Sequence, residues 1–230
     1  PLTAGIFPVE TESAKTDKGT TMNPSTDSVH VAALPLEIAK AMKLIVCSKQ
    51  NNDRPSLQHV LCESYYHGET GDTGYPETAI ARYVGTNGHV MLIVDTNLPA
   101  PTESQVFSGM KNMNATTGKS DPSDVELIIT SKGYYKPEYF RACDSPWTFP
   151  DYKVVITNDK SPVDRIGFDI SYMDMMLKIH RALGLQKGRE QWSASFNGAL
   201  NASTWSPDYV DGVIVSVKFI VMPVRLNNKY

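Results

Sequence analysis

A chain of 230 residues, 41% hydrophobic and 20% charged, is long enough for one large or two small domains with a buried core. A formal net charge of −3 excludes attraction of nucleic acid by the molecule as a whole, leaving only a local basic patch for that purpose. The three cysteines (Cys47, Cys62, Cys143) are far apart with no C-x-x-C pair, which suggests neither a disulfide framework nor a zinc site, and points to a reducing compartment.

No apolar run approaches the roughly 18 residues of a membrane span, and the N-terminus lacks the basic-then-apolar pattern of a signal peptide. A cytoplasmic location is therefore expected. Residues 1–28 are rich in Thr, Ser, Lys and Glu, with little to bury beyond Leu2, Ile6, Phe7 and Val9, and read as an N-terminal arm. Val29 to Ala32 reads as a short strand. From Leu34 to Ser48 the apolar residues Leu36, Ala39, Met42, Leu44, Ile45 and Val46 recur at roughly helical spacing, with Lys40 and Lys43 on another face.

Leu57 to Glu63 reads as a strand after Asp53-Arg54-Pro55. The stretch Gly68 to Gly74 has regularly spaced glycines but carries Glu69 and Asp72, so it reads as a turn and not as a phosphate cradle. Ala79 to Val84 and His89 to Val94 are predicted strands around Gly85-Thr86-Asn87-Gly88, where Asn-Gly is a strong hairpin signal. Ser104 to Met113 reads as a helix, Val125 to Thr130 as a strand, and Phe149 to Tyr152 as a turn leading into Lys153 to Thr157.

Arg165 to Ile170 is expected to be a strand running into a helix from Tyr172 to Leu183. Ser171 is its expected N-cap, and Met173, Met176, Leu177, Ile179 and His180 its packed side; Lys178 and Arg181 lie three apart. Three closing strands are expected at Gln191 to Phe196, Leu200 to Trp205 and Val213 to Met222. The last continues as the apolar run Val217 to Leu226, broken by Pro223, which marks an edge or an exit from the sheet. Helices alternating with runs of short strands indicate an α+β fold built from a repeated strand, helix and antiparallel-strand module. The repeat is clear at 29–98, blurred at 99–158 and clear again at 163–226.

Five motifs in order resemble the bacterial sliding clamp, the β subunit of the replicative polymerase. Asp53-Arg54-Pro55-Ser56-Leu57 and Gly85-Thr86-Asn87-Gly88-His89-Val90-Met91 are similar to the R-x-x-L strand and T-D-G-H-R-L loop of its middle domain. Phe149-Pro150-Asp151-Tyr152 is similar to its F-P-D-Y interdomain segment, and Ile166 to Tyr172 to its G-F-N-x-x-Y-L strand-to-helix junction. Val221-Met222-Pro223-Val224-Arg225-Leu226 resembles its V-M-P-M-R-L terminus. Asn87 stands where the family has Asp, and Val90 where it has Arg.

The resemblance implies a sliding-clamp fold with a middle-domain-like unit at 29–158 and a partial domain at 159–230, without the family's first domain. It implies a reduced clamp-like protein of phage or plasmid type. It also implies a peptide-binding groove from Thr86, Gly88, His89, Val90 and Met91 together with Val221, Met222, Pro223, Val224, Arg225 and Leu226. Lys40, Lys43, Lys178 and Arg181 are the implied contacts to duplex DNA, made without reading sequence. Each set also has an ordinary reading: Met91 and Met222 as core, His89 as a hairpin residue, and the cations as a solvated helix face.

Enzyme signatures are missing: there is no G-x-S-x-G, H-E-x-x-H, Walker loop or dinucleotide fingerprint. The five histidines show no metal-ligand spacing, so neither a cofactor nor a metal is expected. Three readings stand. The first is a replication accessory protein that binds polymerase or repair peptides and encircles DNA, as a homo-oligomer if the shortened chain closes a ring. The second is a clamp-like interaction module that does not encircle DNA, and the third an α+β enzyme whose site the sequence hides.

Overall fold

The computed structural model describes residues 32–47, 53–66, 79–108, 110, 128–130, 133–135, 139–156, 163, 165–185, 190–198 and 201–224, with the backbone alone for 128–130, 133–135 and 139–140. The arm at 1–28, the expected strand residues Val29 to Val31, the glycine-rich stretch at 68–74, and Arg225 and Leu226 lie outside these residues.

The first helix, α1 (Leu36–Val46), follows Pro35 and buries Ile38, Ala39, Ala41, Met42, Ile45 and Val46. That face is wide because it is covered from two sides, by a sheet and by a second helix. After a 3-10 turn at Pro55–Gln58 come β1 (Val60–Tyr65), β2 (Ile80–Thr86), β3 (Val90–Pro99) and β4 (Gln105–Phe107). Two short strands, β5 (Ile128–Thr130) and β6 (Gly133–Tyr135), pair with each other, and β7 (Tyr139–Arg141) joins the main sheet. The chain continues with α2 (Ile170–Ala182), β8 (Trp192–Ser195), β9 (Ser203–Pro207) and β10 (Ile214–Val221).

The main sheet has eight strands in the order β7-β4-β1-β2-β3-β10-β9-β8, every neighbouring pair antiparallel. The join between the two halves is β3 with β10, where Val94 faces Val217 and Val90 faces Val221. On the helix side α1 packs against α2. The C-terminal segment therefore finds its partner within the chain, its strand edge engaged by β3 and its helix by α1.

Alternation along the strands sends Val90, Leu92, Val94, Val217, Phe219 and Val221 to the helix side. Met91, Ile93 and Ile220 go to the outer side with Leu61, Val84, Val106, Ala202 and Tyr152. Burial on both faces explains why β3 reads as an unbroken apolar run from Val90 to Val94. Gly85 on β2 is where α1 comes closest: a Cβ there would stand 2.9 Å from Met42 Sδ and 3.1 Å from Val46 Cγ1.

Several sequence expectations are corrected. The stretch expected to be helical at 104–113 holds β4, because Val60 and Leu61 of β1 pair with Phe107 and Val106 and bury both; Gln105 adds a buried acceptor for the Ala32 N–H at 3.1 Å. Tertiary pairing overrides local preference over so short a segment. The strand expected from Leu57 begins only at Val60, Pro55 having set the preceding residues into a 3-10 turn. Tyr152–Val155 is likewise a 3-10 turn, with Asp151 Oδ1 accepting from the Lys153 N–H at 3.2 Å. The strand expected before α2 reduces to a single bridge, Gly167 with Val224. The cap of α2 is Asp169, whose carboxylate accepts from the Ser171 N–H at 2.9 Å, so the helix starts before the serine expected to cap it. Hydrogen bonds from the Ser171 hydroxyl and N–H hold the exposed Asp169 carboxyl below its usual value.

Candidate functional site

The hairpin between β2 and β3 is fixed by its own side chains. Asn87 is fully buried, and its Oδ1 accepts from the N–H groups of His89 and Val90, both at 2.9 Å. Thr86 Oγ1 donates to the Val90 carbonyl at 2.9 Å and accepts from the Gly88 N–H at 3.1 Å. Gly88 has φ +86°, in the left-handed region, and a Cβ on it would lie 3.1 Å from Arg54 Nη1. The tip is thus pre-shaped, with the Arg54 guanidinium beside it.

Strand β10 runs straight into this turn. The Met222 N–H donates to the His89 carbonyl at 2.9 Å, and two residues later the Val224 N–H donates to the Gly167 carbonyl at 2.9 Å. Residues some 130 positions apart in the sequence therefore share one end of the sheet. The expected groove residues divide by exposure. Met222 (37% exposed), Val224 (43%), Gly88 and His89 are open to solvent, and Pro223 is half-buried. Thr86, Val90, Met91 and Val221 are buried, Val90 and Val221 on the helix side and Met91 on the outer side. These four support the surface from beneath.

Three features were not singled out as site residues in the sequence. Arg54 lies at the hairpin tip, and Leu57 below it, with Cδ1 3.7 Å from the same position. The third is the segment 149–156, whose half-buried Phe149, Val155 and Ile156 pack on the outer cluster that contains Met91 and Ile220, while Val154 is 72% exposed. Both the R-x-x-L and the F-P-D-Y signals were visible, but nothing in the sequence said that the first meets the hairpin tip and the second the outer face of the sheet.

A polar row, buried at Arg82 and Asp95 and half-buried at Glu63 and Ser216, crosses that outer face. Glu63 on β1 stands opposite Arg82 on β2, which stands opposite Asp95 on β3, which stands opposite Ser216 on β10. Arg82 binds Asp95 through two bonds, Nε to Oδ1 at 2.6 Å and Nη2 to Oδ2 at 2.9 Å, and Ser216 Oγ donates to Asp95 Oδ2 at 2.7 Å. The Arg82 guanidinium lies 3.1 Å from the Tyr65 ring centroid. Burial opposes its charge, yet Asp95 more than offsets this, and the guanidinium is held firmly protonated. Above Glu63 the Tyr152 hydroxyl donates to Oε1, and Lys153 Nζ lies 3.5 Å from the same oxygen. Burial and the Glu63 carboxylate push the Tyr152 phenol above its usual value, so it stays a donor.

The four helical cations are less uniform than their spacing implied. Lys178 Nζ is 2.6 Å from Asp174 Oδ2, one turn earlier on α2, and Arg181 Nε is 3.9 Å from Glu190 Oε1. Lys40 and Lys43 on α1 are half-buried, and among the described residues neither has an acidic partner. Elsewhere, the Trp192 indole donates to His180 Nδ1 at 3.2 Å, and His59 Nδ1 is buried without a hydrogen bond. Among the described residues no group of three or more His, Cys, Asp or Glu is placed to hold a metal ion, and no helix is long and apolar enough to cross a membrane.

No family model matches the chain, and no curated protein does. Solved structures that it resembles are bacterial clamps. Against Caulobacter crescentus pol III beta the identity is 14% and the TM-score 0.47, over 89% of this chain and 70% of that one. Against the H. pylori Beta clamp in complex with Diflunisal the values are 10% and 0.46, over 91% and 69%. Against a DnaN sliding clamp (DNA polymerase III subunit beta) from Pseudomonas aeruginosa bound to griselimycin they are 11% and 0.45, over 91% and 68%.

Proposed function

We propose that this chain is a non-catalytic, clamp-like accessory protein of DNA replication that holds short peptide segments of a polymerase or repair partner at the end of its sheet. The observation that carries this reading is the Met222 N–H to His89 carbonyl bond. It joins the two motifs whose resemblance implied one groove, and it leaves Met222 and Val224 as exposed apolar anchors beside an open hairpin tip. A flexible thioether and a branched aliphatic side chain suit leucine- or phenylalanine-type anchors, and Arg54 with His89 gives a polar, cationic rim. The preferred ligand is then a short peptide with apolar anchors and an acidic neighbour. Binding in the micromolar range, near −8 kcal/mol, is expected of so small a contact. The test is titration of a labelled hexapeptide carrying leucine, phenylalanine and one acidic residue; absence of saturable binding by the folded chain removes the reading.

The second reading, an interaction module that does not encircle DNA, is favoured by the helices. Two of the four candidate cations are neutralised within the chain by Asp174 and Glu190, and α2 is already engaged by α1. Duplex binding through Lys40 and Lys43 alone is weak and strongly salt-dependent. Mass in solution at micromolar concentration separates the readings: a closed homo-oligomer supports a ring around DNA, and a monomer of 25.4 kDa supports the module.

A further inference from the structure

The segment 149–156 covers the outer face of the sheet with little regular structure of its own. Among the described residues its only repeat is the single 3-10 turn Tyr152–Val155. Apolar contact holds it through Phe149, Val155 and Ile156, all only half-buried. Its one deeply buried side chain is Tyr152, and that ring carries a polar end. A buried hydroxyl needs a partner, and a bond to a charged group is stronger than one between neutral groups. Tyr152 finds such a partner in Glu63, at one end of the row that Arg82, Asp95 and Ser216 continue across four strands. The segment is therefore referenced to this polar row through the Tyr152 hydroxyl, with the exposed Lys153 ammonium 3.5 Å from the same Glu63 oxygen.

We infer that Tyr152 is a positioning residue for the proposed peptide groove: its bond to Glu63 latches the 149–156 segment onto the outer cluster that holds Met91 and Ile220, and so sets a wall on the sheet face that Met91 supports. The inference rests on the peptide reading for its functional consequence and on the polar row for its mechanism. Released from Glu63, the segment keeps its apolar contacts but loses its fixed height above the sheet. A ligand then has to order that wall at its own cost on binding, and affinity falls without any ligand contact having been removed.

The test uses the full chain with Tyr152→Phe, Glu63→Ala and Glu63→Gln, reading amide hydrogen exchange at 153–156 and affinity for the labelled leucine- and phenylalanine-bearing hexapeptide. Tyr152→Phe and Glu63→Ala are expected to speed exchange at 153–156 and to weaken the peptide by roughly fivefold, the worth of one hydrogen bond. Glu63→Gln keeps an acceptor for the hydroxyl and is expected to stay within about twofold of the parent, a rescue that simple loss of a folded core would not allow. Unchanged exchange at 153–156 in Tyr152→Phe overturns the latch whatever the peptide does. Faster exchange with unchanged affinity overturns the positioning role while the peptide reading stands. A parent chain that does not bind the peptide, with exchange still faster in Tyr152→Phe, overturns the peptide reading and the role assigned to the latch, and leaves the latch itself established.

Discussion

The sheet end at 86–91 and 222–224 and the helix pair α1 and α2 were both candidate sites, and the structure treats them differently. At the sheet end, Met222 and His89 are joined by a main-chain bond across a gap of some 130 residues, on a hairpin locked by Asn87 and Thr86. On the helices, Lys178 is tied to Asp174 one turn away and Arg181 to Glu190, as on an ordinary solvated surface. Long-range assembly with exposed apolar groups needs a reason; exposed ion pairs do not. That contrast is why the peptide surface, and not the cation set, carries the functional reading.

The contrast can be broken at its support. Asp95→Ala leaves the buried Arg82 guanidinium without its acid in the middle of the sheet that carries this end, and is expected to cost about 3–5 kcal/mol, read by urea unfolding. Removing Asp174 from the exposed helical pair should cost no more than about 0.5 kcal/mol by the same measurement. Equal losses would erase the difference drawn here. Gly88→Ala comes next: with φ +86° and Arg54 Nη1 at 3.1 Å, it should lose about 1–2 kcal/mol of stability. Because the tip must shift, peptide affinity should fall in a calorimetric titration as well. At the surface itself, Met222→Ala should leave stability within about 0.5 kcal/mol and weaken the peptide by about 1–2 kcal/mol.

Smaller effects sharpen the helix side. Asp174→Ala frees Lys178, and the salt dependence of duplex binding should steepen by up to about one phosphate contact, read by fluorescence anisotropy across salt. Peptide affinity should not change. A pH effect belongs to His59 near the hairpin: burial holds its imidazole below the ordinary 6.5, so the fold disfavours the charged form. Stability is fully present above pH 6.5 and is lost as pH falls through that value toward the lower folded one, because the unfolded chain then binds more protons. Thermal unfolding of His59→Gln between pH 7 and 5 should show a flatter profile than the parent.

Legibility followed length and locality. The stripe of Ala39, Met42, Ile45 and Val46 marked α1 because three helical turns of periodic burial are hard to mistake, and Asn87-Gly88 marked its hairpin because few residues accept a positive φ. β4 escaped because three residues show no period, and its pairing with β1 is a matter of tertiary contact. The candidate site was legible as two motifs but not as a surface. That Val90, Met91 and Val221 are support and Met222 and Val224 are exposed follows from both sheet faces being covered, and the outer cover at 149–156 lies more than fifty residues from either motif. The cations were read from spacing alone, and spacing between like charges is silent about the acids that neutralise them.

Methyl NMR of the chain labelled at its methionines, titrated with the leucine- and phenylalanine-bearing hexapeptide, tests the central claim most directly. The account predicts saturable shifts at the Met222 methyl, weaker ones at the buried Met91, and none at Met173, Met175 and Met176 on α2. Shifts confined to the α2 methionines, or a Met222 methyl that stays in place while the peptide binds, would contradict it.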